Sequence, residues 1–219
     1  MRYASRTRAK MVVFAAIAVM ASYVLYHNER FLIDWSDPLW PHYEALGISL
    51  LIHALAGATG LILVPLQFSD SLRARFGKLH RVVGRIYVVA VLIVAPFGAY
   101  TGWLDERLGA TSRSFTVLLV NVAVLWLTTT GIGFVCALQR RIPQHRQWMT
   151  RSYAVALTFF EGRFIPGVFG WDQDPMLVEI VDWTCLALAV LIADVANQIY
   201  ELQGARIGTV QATRALAAE

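Results

Sequence analysis

Several apolar runs of about 20 residues dominate this sequence, and short charged segments separate them. A helix needs roughly 20 mostly apolar residues to cross a bilayer. The composition agrees with such helices, because 57% of the 219 residues are hydrophobic and only 16% are charged. A soluble domain carries about 25% charged residues. The sequence therefore predicts one polytopic membrane domain of the all-α class.

Six apolar runs predict six transmembrane helices. These helices are predicted at residues 11–26, 44–68, 82–104, 114–138, 152–168 and 176–200. Residues 1–10 form a charged segment ahead of the first helix, and residues 201–219 form a mildly polar tail that is either a frayed helix or disordered. The first run is long for the apolar part of a signal peptide, and no clear cleavage site follows it. We therefore expect it to be retained as a helix.

Lys and Arg residues are concentrated on one side of the predicted bundle. The N-terminus, residues 69–85, residues 139–151 and the tail hold 15 of the 19, whereas the three opposite loops hold only Arg30, Arg107 and Arg113. Because positive segments remain in the cytoplasm, the sequence predicts a bacterial inner-membrane protein with both termini cytoplasmic. This topology accounts for the net charge of +4, so the charge does not indicate nucleic-acid binding.

The order helix, His-Arg segment, helix occurs twice. The shared residues are His80-Arg81 with Arg85 and Tyr87 in the first copy, and His145-Arg146 with Arg151 and Tyr153 in the second. Two copies in the same orientation suggest a parallel repeat. The repeat predicts a duplicated four-helix core, made of the second to fifth helices, in which His80 and His145 lie at equal depth.

Two histidines at one depth on different helices are the ligands that a b-type haem requires. His80 and His145 are therefore candidate axial ligands of haem iron. Neighbouring arginines are candidate partners for the haem propionates or for an acidic headgroup; they are Arg81, Arg85, Arg146 and Arg151. The alternative is that the His-Arg segments are interfacial anchors that bind anionic lipid.

A second group of polar residues lies inside the apolar runs, roughly 8 to 14 Å below the outer surface by helical rise. Its members are His53, Glu161, Arg163 and Asp182. Ionisable residues in a membrane are candidates for function by default, and here His53 and Glu161 are the candidate proton carriers. We expect Arg163 to pair with Asp182, and His53 to lie near Glu161 or in the same cavity. The alternative is a buried ion pair that only fixes helix register.

Small residues share a helix face with some of these polar groups. The second helix carries His53, Gly57, Gly60, Val64 and Gln67 on one face, and the third carries His80, Gly84, Tyr87, Val91, Val94 and Gly98. Each face is predicted to contact a neighbouring helix closely, because small residues allow close approach. Cys136 and Cys185 lie within apolar runs and are predicted to be small buried hydrophobes.

Between His53 and Pro166 the sequence also resembles a known family. The matching residues are His53, Pro65-Leu66-Gln67-Phe68, Leu72-Arg73, Leu79-His80-Arg81, Gly84-Arg85, Tyr87, Trp126, His145-Arg146, Trp148-Met149, Arg151, Tyr153, Arg163 and Pro166. This pattern is similar to a bacterial family of predicted membrane proteins known as domain of unknown function 2306. The resemblance implies a polytopic core whose recurring polar residues are His53, Gln67, His80, His145 and Arg163. It implies no activity, and it adds Gln67 to Arg163 and Asp182 as a candidate for substrate contact or ion pairing.

These features together predict a redox membrane protein that binds one b-type haem between His80 and His145. A quinone or another lipid-soluble donor would reach the polar pocket around His53, Glu161 and Arg163. Two alternatives stay open. The first is a transporter or binding protein for a small anion or lipid, and the second is a non-catalytic membrane subunit or scaffold.

Overall fold

The computed structural model describes residues 2–30, 34, 36 and 40–216, and this part of the chain is all-helical. Its helices are α1 (Arg2–His27), α2 (Trp40–Gln67), α3 (Asp70–Arg75), α4 (Gly77–Arg107), α5 (Arg113–Leu138), α6 (Ile142–Phe169) and α7 (Pro175–Leu216). Four segments of these described helices are long and apolar enough to cross a membrane: Glu44–Pro65, Gly77–Arg107, Arg113–Leu138 and Pro175–Leu202. The prediction of a membrane protein with several apolar helices is confirmed.

The remaining two long helices are α1 and α6. The described apolar part of α1 is shorter, Met11–His27. Helix α6 has 28 residues, about 42 Å at 1.5 Å per residue. Its first turns are charged, and Glu161 and Arg163 lie in its second half, so it is less apolar than the four segments above. Length alone would let α6 cross a bilayer, and its polar residues must then face protein or water.

The His-Arg segments are helical, which corrects the prediction that they are loops. Helix α6 begins at Ile142 rather than residue 152, and α4 begins at Gly77 rather than residue 82. Pro143 lies in the first turn of α6, where a proline is well tolerated because that turn lacks intrahelical N–H partners. Arg and Gln have high helix propensity, so polarity marks the end of the apolar span and not the end of the helix.

Other helix ends also differ from the prediction. Helix α3 lies inside the segment predicted as a loop, and the Ser69 hydroxyl caps it by accepting a hydrogen bond from the Leu72 N–H at 3.2 Å. Helix α7 continues through Leu216, so the tail is helical up to that residue. Met1 and residues 217–219 of the two predicted terminal segments lie outside the described residues.

The helices pack in chain order around an interior. Helix α2 packs against α4, α4 against α5, α5 against α6 and α6 against α7, while α1 lies on α6. Helix α2 contacts α6 only sparsely. Helices α4 and α6 therefore face each other diagonally across the interior, and the seam between α2 and α6 is the thin side of this four-helix arrangement.

The two faces predicted from small residues meet each other at the α2–α4 interface. Gly57 lies against Val94, Gly60 against the Tyr87 ring, Gly84 against the Gln67 side chain and Gly98 against the His53 ring. Each pair puts a glycine of one helix opposite a larger side chain of the other. This complementarity lets the two helices approach closely and fixes the depth of His53 relative to α4.

Candidate functional site

His80 and His145 occupy the same position in their helices. Each is the fourth residue, of α4 and of α6 respectively. Their backbone N–H groups donate equivalent bonds to the residue before each helix, His80 to Phe76 O at 3.0 Å and His145 to Arg141 O at 2.9 Å. The two side chains lie close enough to interact electrostatically. The pair is therefore held at one end of the bundle, called the His-Arg end below, on diagonally opposed helices.

The His145 ring has a defined orientation. Its Nδ1 lies 2.8 Å from the Gly133 carbonyl oxygen in α5. A carbonyl oxygen only accepts, so Nδ1 carries the proton and Nε2 carries a lone pair in the neutral ring. A metal-bound histidine is oriented by this same kind of bond from its other nitrogen, so His145 is preset to offer Nε2 as a ligand.

The four predicted arginines divide into two pairs. Arg151 forms a 2.6 Å ion pair with Asp194 of α7 and lies over the Trp148 ring. Arg146 donates to the Tyr200 hydroxyl at 3.1 Å, so both of these arginines attach α6 to α7. Arg81 and Arg85 are exposed on α4 and are the pair left to meet an acidic group.

A buried hydrogen-bond network crosses the interior about 10 Å from the histidine pair, because Tyr87 and Ser152 each follow their histidine by seven residues. Its hydrogen-bonded members are Tyr87, Trp126, Thr130 and Ser152. We call these residues, together with the adjoining buried hydroxyl of Tyr153, the hydroxyl cluster; Tyr153 makes none of these bonds. The Tyr87 hydroxyl lies 2.6 Å from Ser152 Oγ and accepts from Trp126 Nε1 at 2.9 Å. Ser152 Oγ also lies 2.7 Å from Thr130 Oγ1. This network joins α4, α5 and α6 across the diagonal.

Sequence reasoning did not identify the hydroxyl cluster. The equal seven-residue offset from His80 to Tyr87 and from His145 to Ser152 was the available signal. Ser152 precedes Tyr153, the residue that matches Tyr87 in the repeat, and it lies as far along α6 from His145 as Tyr87 lies along α4 from His80.

The second polar group surrounds Arg163 at the opposite end of the bundle. Arg163 Nε lies 3.7 Å from Glu29 Oε1, and its guanidinium lies over the Phe159 ring at 4.0 Å. His53 and Asp182 are both near enough to Arg163 to interact with it electrostatically. Of the predicted polar residues, His53 and Asp182 thus lie near this guanidinium, and Glu29 joins them from the α1–α2 connection.

Glu29 is largely buried, with its side chain 14% exposed. Burial raises the pKa of this carboxyl, and the Arg163 guanidinium, which lowers the pKa, offsets only part of that effect. Glu29 lies between the first two predicted helices, and nothing local to the sequence shows that the end of α1 contacts α6.

His53, Glu161 and Asp182 contact different helices. His53 Nδ1 lies 3.0 Å from the Val94 carbonyl oxygen in α4, which leaves Nε2 with a lone pair as in His145. Glu161 lies near the Cys185 thiol in α7, and the Asp182 carboxylate packs against Gly162. The structure thus brings Asp182 near Arg163 without giving the pair a direct ion contact, and it turns Glu161 toward α7.

The two cysteines are buried and free, as the sequence predicts. Among the described residues, no group of three or more His, Cys, Asp or Glu side chains is arranged to hold a metal ion. A haem iron needs only two axial side chains, so this finding does not bear on the His80–His145 pair.

No curated protein and no solved structure matches this sequence. The profile of one family, described as predicted membrane protein (DUF2306), matches residues 50–196, which is about two thirds of the chain. The match spans α2 to the middle of α7, so it includes both histidines of the His-Arg end, the hydroxyl cluster and Arg163. The chain therefore belongs to the DUF2306 family of predicted membrane proteins.

Proposed function

We propose that this chain is a redox protein of the membrane that holds one b-type haem between His80 and His145. One observation carries the proposal: the two imidazoles occupy the same position on diagonally opposed helices and lie within electrostatic reach of each other. Helix bundles commonly bind cofactors between side chains on facing helices.

The residues at the His-Arg end fit such a group. The Nδ1–H bond from His145 to Gly133 O leaves Nε2 free to ligate. Arg81 and Arg85 would neutralise acidic substituents of the ring, while the Arg151–Asp194 pair holds the first turns of α6 in place against α7. A bound haem would supply the exchange of single electrons.

The polar group around Arg163 supports a role in proton transfer at the opposite end. We propose that a quinol or another lipid-soluble donor binds there, and that His53 Nε2 accepts a proton as the donor is oxidised. Glu161 is the second candidate proton carrier. Buried Val91, Val94, Ala123, Ala156 and Phe160 lie between this group and the hydroxyl cluster, so protons and electrons would take different routes.

A transporter for small anions is less well supported by the charges. Arg163 already has Glu29 as an ion-pair partner and Asp182 nearby, so this end carries no surplus of positive charge for a free anion. Anionic lipid at the His-Arg end agrees with the exposed Arg81 and Arg85, and it is compatible with a bound haem. A scaffold role would leave the shared register of His80 and His145 without a purpose.

The proposal includes a topology. Six crossings with both termini in the cytoplasm would put the His-Arg end at the cytoplasmic face of a bacterial inner membrane. The duplicated core would consist of α2 with α4 and α5 with α6. Its support is the equal position of the two histidines in the second helix of each pair.

An absorption spectrum tests the haem assignment. The purified full chain, produced with ample haem precursor, is expected to show a Soret band that shifts when dithionite is added. His80→Ala and His145→Ala should each lose the low-spin form of the spectrum, because one axial ligand is missing. His27→Ala, at an exposed histidine of α1, is the matched control and should leave the spectrum unchanged. A colourless protein, or an unchanged spectrum in both variants, would refute the assignment.

A further inference from the structure

Tyr153 differs from the other members of the hydroxyl cluster. Its side chain is 6% exposed, and its hydroxyl is buried with no hydrogen-bond partner among the described residues. It lies near enough to Tyr87 to interact electrostatically, yet Tyr87 bonds Ser152 and Trp126 instead. A buried hydroxyl without a partner is costly, particularly in a membrane, so this donor points to a ligand.

The surroundings of Tyr153 define the kind of ligand. The Phe68 ring packs on Tyr153 with centroids 5.5 Å apart, and the Phe14 ring of α1 packs on Phe68 at 6.4 Å. The described buried residues of the core cluster that contains Tyr153 are aliphatic or aromatic, and none of them is charged. A neutral, flat molecule with a hydrogen-bond acceptor fits this environment, whereas a charged molecule would remain unpaired there.

The sparse contact between α2 and α6 suggests the route by which such a molecule reaches Tyr153. Helices α2 and α6 contact each other only sparsely, and α1 lies on α6 beside that seam. Phe14 and Phe68 line the seam from α1 and from the end of α2. An apolar ligand dissolved in the bilayer can therefore enter between α2 and α6 without crossing a layer of polar groups.

We propose that the Tyr153 hydroxyl donates a hydrogen bond to the carbonyl oxygen of a quinone that enters between α2 and α6. This site is distinct from the donor pocket at Arg163, because the buried apolar layer around Val91 and Val94 separates the two. The ligand's part in electron transfer rests on the proposed function, since it places the quinone two helical turns from the histidine pair. Binding itself does not require haem.

Quinone binding to the full chain in detergent tests the site. The probe is decyl-benzoquinone, and the readout is quenching of tryptophan fluorescence, with Trp126 bonded to the hydroxyl cluster as the internal reporter. All variants carry His53→Ala, so that quinone binding at the proposed donor pocket near Arg163 does not contribute to the signal. Tyr153→Phe is expected to weaken binding about three- to tenfold, the usual range for one neutral hydrogen bond.

Two controls keep the result specific. Tyr100→Phe removes a hydroxyl from an exposed tyrosine of α4 and should leave the affinity unchanged. Without the probe, the unfolding temperature of Tyr153→Phe should equal or exceed that of the parent, because the hydroxyl bonds no described residue and its burial without a partner is unfavourable. Equal affinity of Tyr153→Phe and its parent would overturn the proposal. A lower unfolding temperature of Tyr153→Phe without the probe would also overturn it, since the hydroxyl would then serve the fold through an internal water.

The haem assignment and the quinone site can fail separately. His145→Ala should remove the low-spin haem spectrum and leave quinone affinity unchanged. A chain that binds the quinone through Tyr153 but shows no Soret band would retain this site and lose the proposed function.

Discussion

At the residue scale, His53 and His145 are oriented by the same device. Each Nδ1 lies within 3.0 Å of a backbone carbonyl oxygen of the neighbouring helix, Val94 for His53 and Gly133 for His145. Both rings therefore present Nε2 with a lone pair to the surroundings in their neutral form. One such nitrogen at each end of the bundle gives two separate sites for ligation or proton acceptance.

The buried carboxyl of Glu29 should make the stability of the folded chain depend on pH. Burial raises the pKa of Glu29 above its ordinary value near 4.5 despite the Arg163 guanidinium. Between the ordinary pKa of the unfolded chain and the raised pKa of the folded chain, the folded chain therefore binds more protons than the unfolded chain. Stability from this group is therefore full below about pH 4.5 and is lost as pH rises through the raised pKa. Each tenfold change in proton affinity corresponds to about 1.4 kcal/mol.

Glu29→Gln should remove this pH dependence, because the amide stays neutral. Relative to the parent chain, the variant is expected to gain stability as pH rises from about 4.5 to 8. Thermal unfolding in detergent across this range measures the difference. Glu44→Gln, at an exposed position of α2, is the control and should follow the parent. A difference between Glu29→Gln and the parent that shrinks with rising pH would show that the ion pair with Arg163 outweighs burial.

At the element scale, the α2–α4 interface depends on glycines at close contacts. A Cβ atom at residue 98 would lie 2.7 Å from His53 Cε1 and 3.0 Å from its Nδ1. Gly98→Ala must therefore displace the imidazole and break its bond to Val94 O. We expect a loss of about 1–3 kcal/mol in the free energy of unfolding, the usual cost of overpacking.

Gly131→Ala is the matched control for Gly98→Ala. A Cβ at residue 131 would meet no atom within 4 Å, and alanine is a better helix former than glycine by about 1 kcal/mol. The control should be as stable as the parent or slightly more stable in chemical unfolding. If both alanine variants unfold alike, the contact between His53 and Gly98 does not fix the α2–α4 interface.

The helices and their contacting faces were predictable from the sequence to different degrees. Apolar length located the helix interiors, and small-residue spacing located the faces that carry Gly57, Gly60 and Gly98. The helix starts at Gly77 and Ile142 were missed, because charged helical turns outside a membrane resemble loops in a hydropathy pattern. Helix propensity in those segments was the competing signal.

The candidate site was predictable only where its residues lie inside apolar runs. His53 and Arg163 stood out because ionisable groups are rare there. Glu29 was missed because its burial depends on how α1 meets α6, which is a contact between distant parts of the chain. Arg151 was predicted as a candidate partner for a haem propionate or an acidic headgroup. The sequence could not show its ion pair with Asp194, because that contact joins distant parts of the chain.

At the scale of the whole molecule, two polar groups lie at opposite ends of one apolar interior. The His-Arg end continues inward to the hydroxyl cluster, and the Arg163 group occupies the other end. Buried apolar side chains separate them, among them Val94, Leu118 and Phe160. In the proposed function, electrons would cross this apolar layer while protons are accepted at the Arg163 end.

Both polar groups include residues of α6, so their placement relative to the membrane depends on whether α6 crosses it. Four segments satisfy the length and apolarity expected of a membrane span, and α6 is not among them. If α6 crosses, residues 144 and 173 at its two ends lie on opposite sides of the membrane. If α6 does not cross, they lie on the same side, and the diagonal between α4 and α6 would not run through the bilayer.

Single cysteines introduced at Gln144, Ala110 and Gln173 distinguish these cases. All three positions are exposed, and the native Cys136 and Cys185 are buried, so the parent chain is a low-background control. With a membrane-impermeant maleimide on intact spheroplasts, we expect labelling of Ala110→Cys and Gln173→Cys. Gln144→Cys should be labelled only after permeabilisation, because the Lys- and Arg-rich end faces the cytoplasm. The reverse pattern would invert the orientation, and labelling of Gln144→Cys and Gln173→Cys from one side would show that α6 does not cross.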